Sequence, residues 1–124
     1  MSSDVQSYRD LKVWQSAMRI ATQAYVLTKS FPRDETYGMT SQIRRAAASI
    51  PANIAEGYGR DGTATFVQYL RIANGSLKEL ETHVMLTSRV GLTDEDQVRE
   101  ILSDSDELGK MLRSLIRSIQ SPSG

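Results

Sequence analysis

The chain has 124 residues, with fifteen basic and fifteen acidic side chains, so its formal net charge is zero. That length and an apolar fraction of 40% predict a single domain with one core. The absence of cysteine excludes disulfides, thiolate metal sites and a cysteine nucleophile. Zero net charge argues against a protein that coats nucleic acid by basicity alone.

The first residues are polar and include Asp4, so they lack the basic and apolar regions of a signal peptide. The longest strongly apolar run without charge, AAASIPANIA, has about half the length that a membrane span needs. We therefore expect a cytoplasmic protein that does not use a membrane. We expect one domain over residues 1–124, an ordered core over about 8–119, and disorder at the ends.

The first predicted helix carries two apolar stripes with steps of three and four residues, which is the helical period. Their combined arc is roughly 200° wide, whereas a helix that faces one core needs about 100°. Either this helix lies deep in the monomer, or another subunit covers the second stripe. The first stripe is Leu11, Trp14, Met18, Ala21, Tyr25 and Thr28; the second is Val13, Ala17, Ile20, Ala24, Leu27 and Phe31.

The second predicted helix runs from Met39 to Tyr58 and contains Pro51. Proline lacks an N–H and crowds the preceding turn, so we expect a kink, or an end and a restart with Ser49 as cap. Opposite the isoleucine stripe lie the small residues Ala48, Ser49, Ala52 and Ala55, which would allow another helix to approach closely. Asn53 lies near the isoleucine stripe and is expected to bond to backbone carbonyls.

A third stripe runs from Phe66 to Val84, and Gly91 is expected to close that helix. The fourth helix is expected to begin with Thr93 as N-cap, and its seam from Val98 to Ile119 is interrupted only by Ser105. No segment alternates with period two. The prediction is an all-α fold, an antiparallel up-down four-helix bundle with a proline-kinked second helix.

Gly57, Gly59 and Gly62 have the G-x-G-x-x-G spacing of a dinucleotide-binding loop. That loop needs a preceding strand, and here a helix precedes it, so we reject the phosphate-binding interpretation. The structural interpretation is that Gly57 or Gly59 ends the second helix in a left-handed conformation. Asp61 or Thr63 would then cap the third helix.

The sequence contains few candidates for catalytic or metal-binding residues. His83 is the only histidine, with Glu79 one turn before it, and such a residue is more often a surface or packing residue than a ligand. The acidic residues near the start of the fourth helix are explained by compensation of the helix dipole. We expect no catalytic residue, no metal site and no cofactor.

Three segments carry a resemblance to a known family: YRDLKVWQSAM, TSQIRRAAASIPANIAEGYGR and YLRIANGSLKELETHV. Over roughly residues 8–92 the chain resembles the four-helix bundles encoded in intervening sequences of bacterial 23S rRNA genes, also called S23-like proteins. The accessory protein of diversity-generating retroelements looks like a relative. The hallmark S-I-P-x-N-I-A-E-G stands at Ser49 to Gly57. The resemblance implies a closed ring, a homopentamer above other assemblies, without known enzymatic activity.

Two functions follow as hypotheses. The first is an oligomeric accessory protein for nucleic acid or a ribonucleoprotein, because the retroelement relative is understood to bind nucleic acid and a reverse transcriptase through a basic surface. The second is an oligomeric scaffold that binds protein partners and no nucleic acid. The candidate phosphate contacts are Lys12, Arg33, Arg44, Arg45, Arg60 and Arg71, of which Arg45 could equally serve a subunit interface, and Arg60 could pair with Glu56. The candidate oligomer interface is Val13, Ile20, Leu27, Ala48, Ala52 and Ala55.

Overall fold

The computed structural model describes residues 5–121, and most of the ends for which disorder was predicted lie outside this range. Four helices dominate it: α1 is Lys12–Thr28, α2 is Ser41–Gly59, α3 is Thr63–Arg89 and α4 is Glu95–Gln120. No strand occurs between residues 5 and 121. The all-helical prediction is confirmed.

Contacts between neighbouring helices show that the chain runs up and down. The hydroxyl oxygens of Ser49 and Ser76 lie 2.8 Å apart between α2 and α3, and Gln23 on α1 donates to Asp104 on α4 at 2.9 Å. The two serines lie at the middle of their helices, whereas Gln23 lies late in α1 and Asp104 lies in the first half of α4. Tyr58 at the end of α2 packs edge-to-face on Phe66 at the start of α3, with ring centroids 5.9 Å apart. The four helices therefore form an antiparallel bundle.

The chain reverses at short connections. Gly62 between α2 and α3 has φ +94°, and Gly91 after α3 has φ +81°. Gly91 therefore closes α3 as predicted. The prediction that Gly57 or Gly59 takes the left-handed conformation is wrong, because both belong to α2 and the turn uses Gly62 instead. Residues 33–40, between α1 and α2, form short irregular helical turns.

Two predicted caps are also wrong. The Asp94 carboxylate, rather than Thr93, caps α4 by accepting a hydrogen bond from the Gln97 amide at 3.1 Å. The Thr93 hydroxyl is paired with that of Thr87 at 3.1 Å. The N-cap position of α3 is Gly62, which has no side chain, so neither Asp61 nor Thr63 caps this helix.

The core contains one apolar stripe from each helix, as the helical periods predict. Ser105 on α4 is fully buried within it. Fully buried aliphatic side chains include Ile20, Leu27, Ile43, Ile50, Ile54, Leu70, Leu77, Leu80, Leu108 and Leu112.

The stripe of α1 that faces the core is mainly the second one, although we expected the first; Ala21 and Thr28 of the first stripe are also buried. Val13, Ile20 and Leu27 lie in the monomer core, so their assignment to a subunit interface is wrong. Both stripes are apolar, and their period alone could not tell which one points at the bundle axis. Met18 and Tyr25, of the first stripe, are each 41% exposed.

Helix α2 continues without interruption through Pro51, so it does not end and restart at Ser49. Ser49 instead bonds across to Ser76, and the amide of Asn53 donates to the Ser49 carbonyl at 2.8 Å and to its hydroxyl at 2.9 Å. Asn53 therefore finds a carbonyl partner, as predicted. The kink at Pro51 stays a prediction.

None of the helices within residues 5–121 is both long and apolar enough to cross a membrane.

Candidate interaction surfaces

An apolar groove runs between α1 and α2 on the outside of the bundle, with a volume of about 540 Å³. We call it the α1–α2 groove. Its only non-aromatic polar side chain is Thr22, whose hydroxyl donates to the Met18 carbonyl at 2.9 Å. The surface that it offers is therefore largely hydrophobic. It is lined by Tyr8, Trp14, Met18, Ala21, Thr22, Tyr25, Ala48, Pro51, Ala52 and Ala55.

The difference in side-chain size between the two helices creates the groove. From α1 it receives large side chains, among them Trp14, which packs edge-to-face on Tyr8 with ring centroids 5.3 Å apart. From α2 it receives methyl groups, of which those of Ala48 and Ala52 are exposed. Because alanine ends at Cβ, the α2 side forms a shallow floor that another helix could approach closely. The alanines of the small face predicted from the sequence thus lie outward, whereas Ser49 of that face contacts α3.

One end of the α1–α2 groove carries an oriented cation. The Arg44 Nε donates to the Thr28 hydroxyl at 2.8 Å, and its guanidinium lies 4.7 Å from the centroid of the Tyr25 ring. Thr28 is buried and donates its own proton to backbone carbonyls of α1. Arg44 is therefore held in place by a hydrogen bond and a cation–π contact, rather than free in solvent.

The six cations predicted to contact phosphates do not form one patch. Arg33, Arg44 and Arg45 lie at the connection from α1 to α2. Arg60 follows the far end of α2, sixteen residues after Arg44, which corresponds to roughly 24 Å along a helix. Lys12 and Arg71, near the starts of α1 and α3, belong to the Arg60 end of the bundle, because the helices are antiparallel.

Arg60 already has partners within the chain. Its guanidinium bonds to the Glu56 carboxylate at 2.6 Å, as expected from their spacing, and lies 5.6 Å from the Tyr69 ring centroid. The hydrogen bond to Glu56 raises the pKa of Arg60 above its ordinary value, and the charges of Tyr69 and Glu56 add to this. Lys12, Arg33, Arg45 and Arg71 are all exposed.

A further set of cations was missed by our sequence analysis. Residues 108–120 of α4 contain Lys110, Arg113 and Arg117 and no carboxylate, whereas residues 95–107 contain six carboxylates and one arginine. The antiparallel fold places the basic half of α4 beside the start of α1, where Lys12 and Lys110 line one groove. The step in charge along α4 was visible in the sequence and would have revealed this surface.

The residues considered for catalysis do not assemble into a site. His83 Nε2 lies 3.3 Å from the Glu79 carboxylate in the predicted one-turn pair. Between residues 5 and 121, no three His, Asp or Glu side chains come together as a metal site would require. This part of the chain therefore offers no constellation from which to argue a reaction.

The glycine motif has a packing role at Gly57. This residue is buried in α2, and a Cβ added there would overlap the Cβ of Tyr69 on α3. The other two glycines face open space. Gly57 thus allows the backbones of α2 and α3 to approach closely, and the first glycine of the motif lies inside a helix instead of in a phosphate-binding turn.

Two of three comparisons with known proteins found relatives. The family model described as 23S rRNA-intervening sequence protein matches residues 9–114. A crystal structure of a protein of unknown function from the S23 ribosomal protein family of Bacteroides thetaiotaomicron is similar, with 29% identity and a TM-score of 0.76. The match covers 85% of this chain and 98% of that one. No curated protein matches.

These findings confirm the resemblance read from the three motifs and extend it. The motifs covered roughly residues 8–92, whereas the family model continues through most of α4 to residue 114. The similar crystal structure has the same fold along nearly its whole length. By sequence and by structure, the chain belongs to the 23S rRNA-intervening sequence protein family.

Proposed function

We propose that this protein is a non-enzymatic homo-oligomer that assembles through the α1–α2 groove and serves in the cytoplasm as an accessory protein for nucleic acid or a ribonucleoprotein. The observation that carries the assembly is the groove itself. An apolar surface of half-buried Trp14 and exposed Met18 and Tyr25 beside exposed alanines is costly to leave in water. A second copy would remove it from solvent.

Of the interface predicted from the sequence, the proposed interface retains the alanines Ala48, Ala52 and Ala55. On α1 it uses Trp14, Met18 and Tyr25 in place of the three predicted residues that lie in the core. Aromatic residues and methionine are enriched at protein interfaces, because they bury much area and adapt their shape. Arg45 is exposed on the same helix as the alanine floor and is a candidate for the rim. The resemblance adds a closed ring, with a pentamer as the expected assembly.

Light scattering on the peak eluting from a gel-filtration column tests the assembly. We expect a mass several times the 13.8 kDa of one chain, and near five times this mass for a pentamer. A stable single-chain mass at micromolar concentration would overturn the proposal. A multiple other than five would keep the interface and remove the pentamer.

For nucleic-acid binding, the corner at the α1-to-α2 connection has the most suitable chemistry. It combines Arg33 and Arg45 with Tyr37, which is 96% exposed, and with the Arg44 and Tyr25 pair. Cations that contact phosphates beside exposed aromatic rings are typical of single-stranded nucleic-acid binding. In a homo-oligomer each copy repeats this corner, which raises the avidity for a long strand.

A salt titration of binding to single-stranded and duplex oligonucleotides tests this part. Affinity should fall steeply as salt rises, because phosphate contacts release counterions. The double variant Arg33→Ala/Arg45→Ala should flatten that dependence, and Arg71→Ala at the other end of the bundle is the matched control. No binding at about 50 mM salt would leave the alternative, a scaffold for protein partners alone.

A further inference from the structure

A second groove lies between the start of α1 and the second half of α4, on a different side of α1 from the α1–α2 groove. Its floor is largely apolar, with Leu11, Met111 and Leu115 over the buried Val13, and the exposed Ser114 and Ser118 also line it. Lys12 on α1 and Lys110 on α4 flank that floor, and both are exposed. We call this surface the basic groove.

The cations at this end of the bundle, of which Lys12 and Lys110 line the basic groove, have no carboxylate partner in the part of the chain that the structure describes. The ion pairs found between residues 5 and 121 use Arg60, Lys78, His83 and Arg99. Lys12, Lys110, Arg113 and Arg117 are in none of them, and all four are exposed. This end of α4 therefore presents positive charge that the monomer does not neutralise.

Compensation of the helix dipole explains only part of this charge. Cations stabilise the last turn of a helix, and the effect falls off within that turn. Arg117 lies in the last turn of α4, which ends at Gln120. Lys110 and Arg113 lie two to three turns from the C-terminus, so the dipole does not account for them.

We propose that the basic groove binds an acidic amphipathic helix of a partner protein. Such a helix would lay its apolar side chains on Leu11, Met111 and Leu115, and its flanking carboxylates would meet the cations on either side. The apolar floor favours this occupant over nucleic acid, whose backbone offers phosphates and no aliphatic side chains.

A second copy of this chain fits the groove less well. The acidic half of α4 has the right charge, but its apolar residues Val98, Ile101 and Leu108 are buried in its own bundle. Docked from outside, that helix could offer only its polar face and would leave the floor of the groove uncovered. The acidic half of α4 therefore does not match the floor of the groove, which favours a separate helix as the occupant.

The test uses fluorescence anisotropy with a labelled amphipathic peptide of about 20 residues, which spans roughly 30 Å as a helix. It carries leucines along one face and glutamates on both flanks. We expect it to bind, and we expect peptides with lysine in place of glutamate, or serine in place of leucine, not to bind. Binding of the serine peptide as tightly as the leucine peptide would overturn the proposal, because the floor would then contribute nothing.

Charge-reversed variants locate the site. The double variant Lys12→Glu/Lys110→Glu should weaken binding of the glutamate peptide by at least about tenfold and should gain binding of the lysine peptide. Lys29→Glu, an exposed lysine at the other end of α1, is the matched control and should change neither. Equal effects of the double variant and of Lys29→Glu would contradict the assignment.

Two further readouts separate this proposal from those above. Light scattering on the double variant should give the mass of the unmodified protein, because the basic groove is not the proposed subunit interface. A single-stranded oligonucleotide is added to the protein–peptide complex in parallel, and the release of the labelled peptide is measured. If the oligonucleotide displaces the glutamate peptide from the basic groove, and the double variant loses oligonucleotide affinity as strongly as peptide affinity, the site binds nucleic acid and the partner helix is wrong.

Discussion

Two faces of α1 carry apolar side chains, but the large side chains of only one face are packed inside the bundle. The inner face consists of aliphatic residues such as Ile20 and Leu27, with alanines between them. The outer face carries Trp14, Met18 and Tyr25 and forms one wall of the α1–α2 groove. The residues that stay outside are the types enriched at interfaces, whereas the aliphatic residues inside have few rotamers and no polar atom. The side-chain types, more than their period, separate the two faces.

The largest expected difference between the two faces is in the stability of the folded chain. Ile20→Ala should lower the free energy of unfolding by about 2–5 kcal/mol, because it leaves a cavity in a close-packed core. Met18→Ala on the outer face should cost under about 1 kcal/mol in a dissociated chain, since Met18 is already half exposed. Urea unfolding followed by circular dichroism at several protein concentrations separates folding from association. Equal losses would mean that both faces are core.

A second difference lies in the space around two glycines of α2, one packed against α3 and one facing solvent. Gly57→Ala should cost about 1–3 kcal/mol, because the added Cβ overlaps that of Tyr69 and forces α2 and α3 apart. Gly59→Ala, two residues later in the same helix, meets nothing and should be neutral or stabilising by up to about 1 kcal/mol. Thermal unfolding of both variants measures this. Similar melting temperatures would show that the two helices separate freely.

The sequence predicts the bundle because helical periods and short connections leave few other folds. It does not predict which face of α1 lies inside, since both faces satisfy the same period. The role of Gly57 was also hidden, because a close approach depends on where Tyr69 lies, and that is set by packing between helices. The basic half of α4 is not evident from single cations, because it depends on their positions along the helix relative to the carboxylates.

At the end of the α1–α2 groove, the contact between Arg44 and Tyr25 should contribute less to the free energy of unfolding than the core contacts above. Arg44→Met keeps the apolar part of the side chain and removes the cation–π contact and the bond to Thr28, at a cost of about 1 kcal/mol. Arg45→Met, an exposed neighbour, is the control for the loss of one charge. Urea unfolding distinguishes them. If the two variants lose equal stability, the contact with Tyr25 contributes nothing.

The smallest effect on stability and assembly is expected at Arg60, which lies outside both the core and the α1–α2 groove. Its pair with Glu56 is open to solvent, where water and salt weaken the attraction. Arg60→Ala should therefore leave the melting temperature and the oligomeric mass unchanged within the error of the measurement. A clear drop in either would assign Arg60 a structural role.

The central claim is that the outer face of α1 and the alanine floor of α2 form the subunit interface. Ala52→Glu puts a charge on that floor, where a second copy would bury it without a partner. Ala64→Glu adds the same side chain at an exposed alanine of α3, outside the α1–α2 groove.

Light scattering and circular dichroism on these two variants make the most direct measurement. We predict that Ala52→Glu has the mass of a single chain, 13.8 kDa, with its helical signal retained, and that Ala64→Glu keeps the mass of the unmodified protein. An Ala52→Glu variant with unchanged mass, or one that loses helical signal together with its mass, would contradict the account.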